Sequence, residues 1–263
     1  DSPGVANSIS SDLALVKPIA LKMFNLKGKD TQKYFKEVED KLLEETDYLQ
    51  ELRNGQFISE KAAKISNLKF PNYYPKWTTA KILTMDWMDG IHLAQYTSLD
   101  NETQEVKNKI GQTLWDFYMF QIHTLKKVHA DPHPGNFLIN EDAQLIALDF
   151  GCMKSIPDEF YIPYFELSDK KIIDNPILFK EKLYELEILT PTDSKEELTF
   201  FTAMFHELLS VFTLPFHEAI FDFSKPEFFS KIGDLAGRYS KSTELRKFNG
   251  NRGSKHQPLI HIP

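Results

Sequence analysis

The 263-residue sequence predicts an α+β fold, with long helices and short strands in its first part and a mostly helical part after them. Three patterns predict it. Apolar residues recur at helical spacing over two long stretches, 31–63 and 103–127. Short β-rich runs bounded by turn residues come between and after them, at 78–87, 137–139 and 145–148. From Pro157 nearly to Lys247 the helical pattern returns and persists.

In chain order, Ile9–Phe24 reads as a helix that opens at a Ser-rich cap and is interrupted or restarted at Pro18, with a linker over 26–30. Thr31 can cap a long helix reaching about Ala63, with Phe35, Val38, Leu42, Leu49 and Leu52 at helical spacing. Phe70–Lys76, with Pro71 and Pro75, is a loop or short edge strand. Thr78–Trp87 is expected as a strand, ended by the turn residues Met88-Asp89-Gly90. Thr103–Lys127 is a second long helix whose stripe Val106, Ile110, Leu114, Phe117, Gln121 and Leu125 is expected in the core. Phe137–Ile139 and Leu145–Leu148 form two strands about a turn at Asn140–Ala143. Residues 249–255, NGNRGSK, read as a basic, Gly-rich loop. The most apolar stretch, Leu198–Phe221, is interrupted by His206, Glu207, Pro215, His217 and Glu218. It therefore falls short of the roughly 18 uninterrupted apolar residues of a membrane span. A buried helix pair broken near Pro215 is the expectation, and a membrane-facing surface the alternative.

Composition narrows the function. With 38 acidic and 31 basic residues the formal net charge is −7, which speaks against a non-specific nucleic-acid binder. An apolar content of 41% and a charged content of 26% are those of an ordinary globular protein, and 21 Phe imply an aromatic-rich core. The one cysteine, Cys152, excludes a disulfide framework and a Cys-rich zinc site. It fits a reducing compartment, so the expected location is cytoplasmic, with peripheral attachment to a membrane left open. The chain opens on DSPGVANSIS, with neither an initiator Met nor a leader pattern, as a fragment would.

The densest cluster of reactive side chains is HADPHPGN, residues 129–136. Two prolines and a glycine fix an irregular backbone there, bounded by apolar segments. Asp149-Phe150-Gly151 follows the second strand. An Asp, an Asn five residues later, a hairpin and then an Asp-Phe-Gly form the signature of the catalytic half of a protein-kinase-like fold. Asp131, Asn136 and Asp149 fill those positions. His129, Asp131 and His133, at alternate positions, could instead serve a metal-dependent hydrolase, but the prolines, Asn136 and the downstream Asp149 favour the first reading. In that reading His129 braces the loop and His133 has no assignable role. Cys152 is a reactive thiol in a cleft or, the blander choice, a small core residue.

The wording of the loop resembles the UbiB/AarF-domain atypical kinases. Glu45-Thr46-Asp47-Tyr48 resembles their ExD motif, and the segments 3–13 and 249–255 are similar to theirs. The resemblance implies a protein-kinase-like α+β fold, a partial N-lobe (1–86) followed by a mostly helical C-lobe (87–263). It implies that Asp131 is the catalytic-loop Asp, and that Asn136 and Asp149 hold Mg²⁺ on the phosphates of ATP or ADP. Glu51 would be the helix Glu that pairs with a strand lysine, and Glu45 and Asp47 the ExD acids. Met85 would precede the hinge, with Asp86 to Met88 offering backbone groups to adenine. The implied activity is phosphoryl transfer or ATP hydrolysis in support of ubiquinone or related prenyl-lipid metabolism. A prenyl lipid, a membrane surface and a homodimeric partner stay open. The family's lysine strand would precede Asp1, so the chain as given is expected to have little activity alone. Lys109-Ile110-Gly111-Gln112 spells the family's KxGQ motif in the wrong place, on an ordinary helix surface. The alternatives are a pseudokinase scaffold without turnover and a His/Asp metallohydrolase.

Overall fold

A computed structural model of the chain describes residue 36 and residues 47–97, 102–130 and 132–252. The expected helix at Ile9–Phe24, the linker at 26–30 and the end of the chain from residue 253 lie outside these residues. The described residues fall into two compact units divided between Ile156 and Pro157. The lobe boundary expected at 86–87 lies inside the first unit.

The first unit opens with α1 (Tyr48–Lys61). The single helix expected from Thr31 lies outside the described residues over 31–35 and 37–46, and it does not run through Asp47, whose φ of −90° and ψ of 81° are not helical. Its carboxylate Oδ1 accepts the N–H groups of Leu49 and Gln50, each at 3.1 Å. A short acidic side chain that can satisfy orphan first-turn donors starts a helix more readily than it continues one. Beyond α1 the chain builds a four-stranded sheet in the order β1-β5-β4-β2. It comprises β1 (Leu68–Lys69), β2 (Ile91–His92), β4 (Phe137–Ile139) and β5 (Leu145–Ala147). β4 and β5 are the expected hairpin, antiparallel with Leu138 opposite Ile146. β1 lies parallel to β5, and β2 antiparallel to β4. Two residues are too few to show a period, which is why β1 and β2 escape a reading of the sequence.

The strand expected at Thr78–Trp87 is not formed. Thr79 and Ile82 exchange both backbone hydrogen bonds in a tight reversal, at 2.8 and 3.3 Å. Thr78 Oγ1 accepts the Thr84 N–H, and Thr84 Oγ1 donates to the Trp77 carbonyl. The threonines that gave the segment its β character thus satisfy the backbone locally. Ile82 and Trp87 stay 58% and 88% exposed.

The second expected long helix is α3 (Gln104–Met119), which follows the short α2 (Leu93–Tyr96) and is capped by Thr103. Its predicted stripe does face inward: Ile110, Phe117 and Gln121 are buried. It does not continue to Lys127 as an α-helix. From Phe120 to Leu125 the backbone widens into a π turn, and Lys126, at φ 49°, reverses it. The fully buried Gln121 there accepts the His129 N–H at 2.9 Å, holding the next strand, β3 (Lys127–His129). β3 pairs antiparallel with β6 (Met153–Ser155). Ile58, Leu68, Ile110, Phe117, Phe137, Leu145 and Phe150 form the core of this unit.

The second unit is helical, as expected: α4 (Asp158–Glu166), α5 (Lys170–Ile173), α6 (Pro176–Glu185), α7 (Lys195–Phe212), α8 (Pro226–Ser240) and α9 (Thr243–Arg252). Phe179, Leu183, Leu189, Phe201 and Phe248 lie at its centre. α7 does end before Pro215, but the next long helix waits until Pro226. Residues 249–252, expected in a loop, continue α9. No described helix is long and apolar enough to cross a membrane. Three of the residues that interrupt the apolar stretch make packing or hydrogen-bond contacts within this unit. His206 sits edge-on to Phe179, Glu207 takes both Arg238 nitrogens and the Tyr239 hydroxyl, and His217 Nε2 lies 2.8 Å from the Ser168 carbonyl.

α7 starts on a reciprocal cap. The Glu197 N–H donates to Ser194 Oγ at 3.2 Å, and the Ser194 N–H to Glu197 Oε2 at 2.8 Å. Ser194→Ala is expected to cost about 1 kcal/mol. In urea unfolding the midpoint should fall with the slope unchanged.

Candidate nucleotide-phosphate and metal site

The site grows out of the β4–β5 hairpin. Asn136 ends a 3-10 turn, Pro134–Asn136, immediately before β4. Its backbone is fixed on both sides: its N–H donates to the His133 carbonyl and its carbonyl accepts the Leu148 N–H, each at 3.0 Å. His133, which the sequence left without a role, caps this turn, its Nδ1 accepting the Gly135 N–H at 3.0 Å. A Cβ at Gly135 would meet that nitrogen at 2.8 Å, so a larger residue there would push the His133 ring out of its capping position. Asp149 follows β5. Asn136 and Asp149, the two expected metal ligands, line one cavity of about 10 Å³ with Phe117, His129, Phe137, Ala147 and Phe150. That is room for about one water molecule. Asp131 lies outside the described residues, as does Glu45.

Asp149 keeps 51% of its side chain exposed. Its Oδ1 accepts the Gly151 N–H at 2.8 Å. His129 Nε2 lies 4.0 Å from the same oxygen, longer than a hydrogen bond. The His129 ring is the main influence holding the Asp149 carboxyl below its ordinary value; partial burial opposes it and the Gly151 N–H adds to it. The ring is buried and edge-on to Phe150, with centroids 6.1 Å apart, which fits its expected task of bracing the loop.

Glu51 reaches the same place from the first turn of α1. A Cβ built on Gly151 would lie 3.4 Å from Asp149 Oδ1 and 3.9 Å from Glu51 Oε2, so both carboxylates face this glycine. Burial first, and the Asp149 charge second, push the Glu51 carboxyl from 4.5 up to about 7. Among the described residues Glu51 makes no ion pair. A raised carboxyl favours the folded state below its unfolded value, and that contribution is lost as pH rises through the folded one. The Tm should therefore carry a component that falls between about pH 4.5 and 7, and Glu51→Gln should flatten that slope. Tyr73 closes this corner. Its hydroxyl lies 3.4 Å from the Leu148 carbonyl, and burial, then Glu51 and Asp149, raise its pKa.

One residue of the corner was missed. Asn54, buried in the middle of α1, donates from Nδ2 to the Phe150 carbonyl at 2.9 Å and accepts from Lys127 Nζ at 2.8 Å. An Asn in a helix interior carries no signal that separates this role from a solvated face.

The expected hinge residues differ among themselves. Met85 forms an isolated bridge with Tyr73. The Asp86 N–H is spent on the Asn72 carbonyl, at 2.9 Å. Its carboxylate accepts from the Tyr74 hydroxyl and from the Asn72 amide, and these bonds keep it below its ordinary pKa. The Asp86 carbonyl and the Met88 N–H make no backbone hydrogen bond to the described residues. Asp47 is the cap of α1, 3.9 Å from Arg53, rather than part of a continuous helix with Glu51. Lys109 and Gln112 lie exposed on α3, Gln112 donating to Asp116. Cys152 is a buried core residue. Among the described residues no three His, Cys, Asp or Glu side chains form a cluster, and His129 and His133 are engaged separately.

Comparison with known proteins fits this geometry. The model of the ABC1 atypical kinase-like domain matches residues 1–175. An aarF domain-containing protein kinase of Arabidopsis thaliana, named as chloroplastic, is 30% identical over 212 residues, 79% of this chain and 29% of its own length. The mitochondrial atypical kinase COQ8 of Saccharomyces cerevisiae is 30% identical over 167 residues, 63% of this chain and 33% of its own. The chain thus spans a third or less of these relatives. The structure of Rv3197 of Mycobacterium tuberculosis in complex with erythromycin superposes with a TM-score of 0.66 at 20% identity. That match covers 88% of this chain and 57% of the other, a likeness of fold.

Proposed function

The chain belongs to the ABC1 atypical kinase-like domain family, and on that premise we propose that it supplies the metal-binding part of a Mg²⁺-dependent ATP or ADP site used in phosphoryl transfer or ATP hydrolysis. The observation that carries this reading is that Asp149 and Asn136, at the two ends of the β4–β5 hairpin, line one cavity, with Asp149 kept ionised. A carboxylate and an amide oxygen are hard donors, the set that suits Mg²⁺ rather than zinc. When bound, the metal would neutralise charge on the phosphates.

The chain's own residues would position the reactants. Asn136 is held by its two backbone bonds, and the Asp149 carboxylate by Gly151. Asp131 would orient or deprotonate the acceptor. The Asp86 carbonyl and the Met88 N–H would meet the adenine edge, with Met85 before them. Glu45 and Asp47 keep the ExD assignment, and residues 1–86 and 87–263 the lobe division, as parts of the proposal. So do support of ubiquinone or prenyl-lipid metabolism, contact with a prenyl lipid or membrane surface, and a homodimer. The relatives are named for the chloroplast and the mitochondrion, so an organelle joins the cytoplasm as a proposed location.

Calorimetric titration with ADP, with Mg²⁺ and again with a chelator, tests the reading. Binding that depends on Mg²⁺ is expected, and equal affinity with the chelator would overturn it. Zinc retained without nucleotide would point to the metallohydrolase instead. A nucleotide-binding scaffold without turnover is the second reading; ATP turnover by the full-length protein rejects it.

A further inference from the structure

We propose that Asn54 is a positioning residue for the metal-binding turn: its side-chain amide holds the Phe150 carbonyl to α1 and thereby fixes where Asp149 points. The proposal rests on reading Asp149 as a Mg²⁺ ligand.

Asn54 is 3% exposed, and a buried amide is costly unless it is paired. Its oxygen accepts from Lys127 Nζ at 2.8 Å and from Gln50 Nε2 at 3.1 Å, and its nitrogen donates to the Phe150 carbonyl at 2.9 Å. The orientation is dictated by chemistry. An ammonium only donates, so the amide oxygen must face Lys127, which turns the nitrogen toward Phe150. A flipped amide would oppose donor to donor on one side and acceptor to acceptor on the other.

The turn is gripped from two sides. The Phe150 ring is 1% exposed and packs edge-on against Phe117 and His129. Its carbonyl is held by Asn54. The residues flanking Phe150 are joined by the Gly151 N–H on Asp149 Oδ1. Rotation of the peptide after Phe150 would break the Asn54 bond and disturb that one. Glu51 lies one turn before Asn54 on the same helix, so the helix that sets Glu51 beside the turn also sets the turn itself. Lys127 opens β3, which ends at His129, 4.0 Å from Asp149. Helix, metal-binding turn and the strand entering the loop therefore converge on one amide.

The test uses the full-length protein, with two readouts on each variant. Hydrogen exchange is followed in peptides covering residues 149–153, with 137–147 as control. ADP affinity is measured with and without Mg²⁺. Asn54→Asp keeps the size of the side chain and an acceptor for Lys127 but loses the donor to Phe150. It is expected to speed exchange at 149–153 about tenfold, leave 137–147 unchanged, and cut the Mg²⁺-dependent gain in ADP affinity about tenfold. ADP affinity without Mg²⁺ should not move. Lys127→Met should act in the same direction and less. Asn54→Ala should match Asn54→Asp, and where it does not fold Asn54→Asp decides. Unchanged exchange in Asn54→Asp, faster exchange with an intact Mg²⁺ gain, or an equal loss of affinity without Mg²⁺ would each overturn the role of Asn54. A wild-type protein that gains no ADP affinity from Mg²⁺ overturns instead the reading of Asp149 on which that role rests.

Discussion

Asp149→Asn is expected to weaken Mg²⁺–ADP binding by about 100-fold, roughly 2.7 kcal/mol, while the fold survives. The substitution preserves shape and one oxygen but removes the charge, and Mg²⁺ affinity follows ligand charge. That charge is what the surroundings maintain: His129 and the Gly151 N–H keep the carboxyl ionised against its partial burial. Removing it also relieves Glu51, whose raised pKa owes its second largest part to Asp149. The same variant should therefore show a shallower loss of Tm between about pH 4.5 and 7 than the wild type, a signature that a simple loss of folding would not produce. Titration calorimetry and thermal melts across that range check both halves. Asp131→Asn, by contrast, is expected to spare binding and lower turnover in the full-length protein, since its proposed work is on the acceptor.

Phe117→Ala is expected to give the largest loss of stability, about 3–5 kcal/mol. The ring is 1% exposed and meets Phe70, Tyr118 and Phe150 at centroid distances of 5.8, 6.1 and 6.5 Å. Two of its contacts belong to different segments, the chain after β1 and the turn at Asp149–Gly151, so no single rearrangement can fill the space. The ring also lines the cavity shared by Asn136 and Asp149, and the Phe150 ring would lose a wall. Urea unfolding should show a lower midpoint. Mg²⁺–ADP affinity of the folded fraction should fall as well, because the turn that carries Asp149 loses one of its two grips.

The β4–β5 hairpin and the inner stripe of α3 were legible because each rests on a local pattern of apolar and turn residues. Asn136 and Asp149 could be brought together on paper because they stand at the two ends of a short antiparallel hairpin, which returns the chain to where it started. Asn54, Gln121 and His133 were not legible. Each is polar, each sits where a polar residue is ordinary, and each acquires its task only from a partner elsewhere: Phe150 for Asn54, the His129 N–H for Gln121, the Gly135 N–H for His133. The error at Thr78–Trp87 has the opposite cause. Its β-branched and aromatic residues follow strand composition, but composition describes what suits a covered, paired surface, and Ile82 and Trp87 are exposed. The cap at Asp47 lost to the long apolar period around it, because a period says where a helix would be buried and not where the backbone breaks.

The parallel pairing of β1 with β5 sets an order in time. Leu68 pairs with Leu145, and Asn54 with Phe150, so the corner that holds Glu51 cannot close until the chain has been made past residue 150. At the usual pace of synthesis, 5–20 residues per second, about 80 residues of waiting is roughly 4–16 s. During that interval α1 has no sheet to lie on, and Ile58 and Leu68, both at most 8% exposed in the fold, face solvent or a chaperone. A ribosome stalled anywhere between these strands leaves a nascent chain with its sticky half displayed. Slow codons placed after residue 150 would favour productive folding, and the same codons placed near residue 100 would favour aggregation.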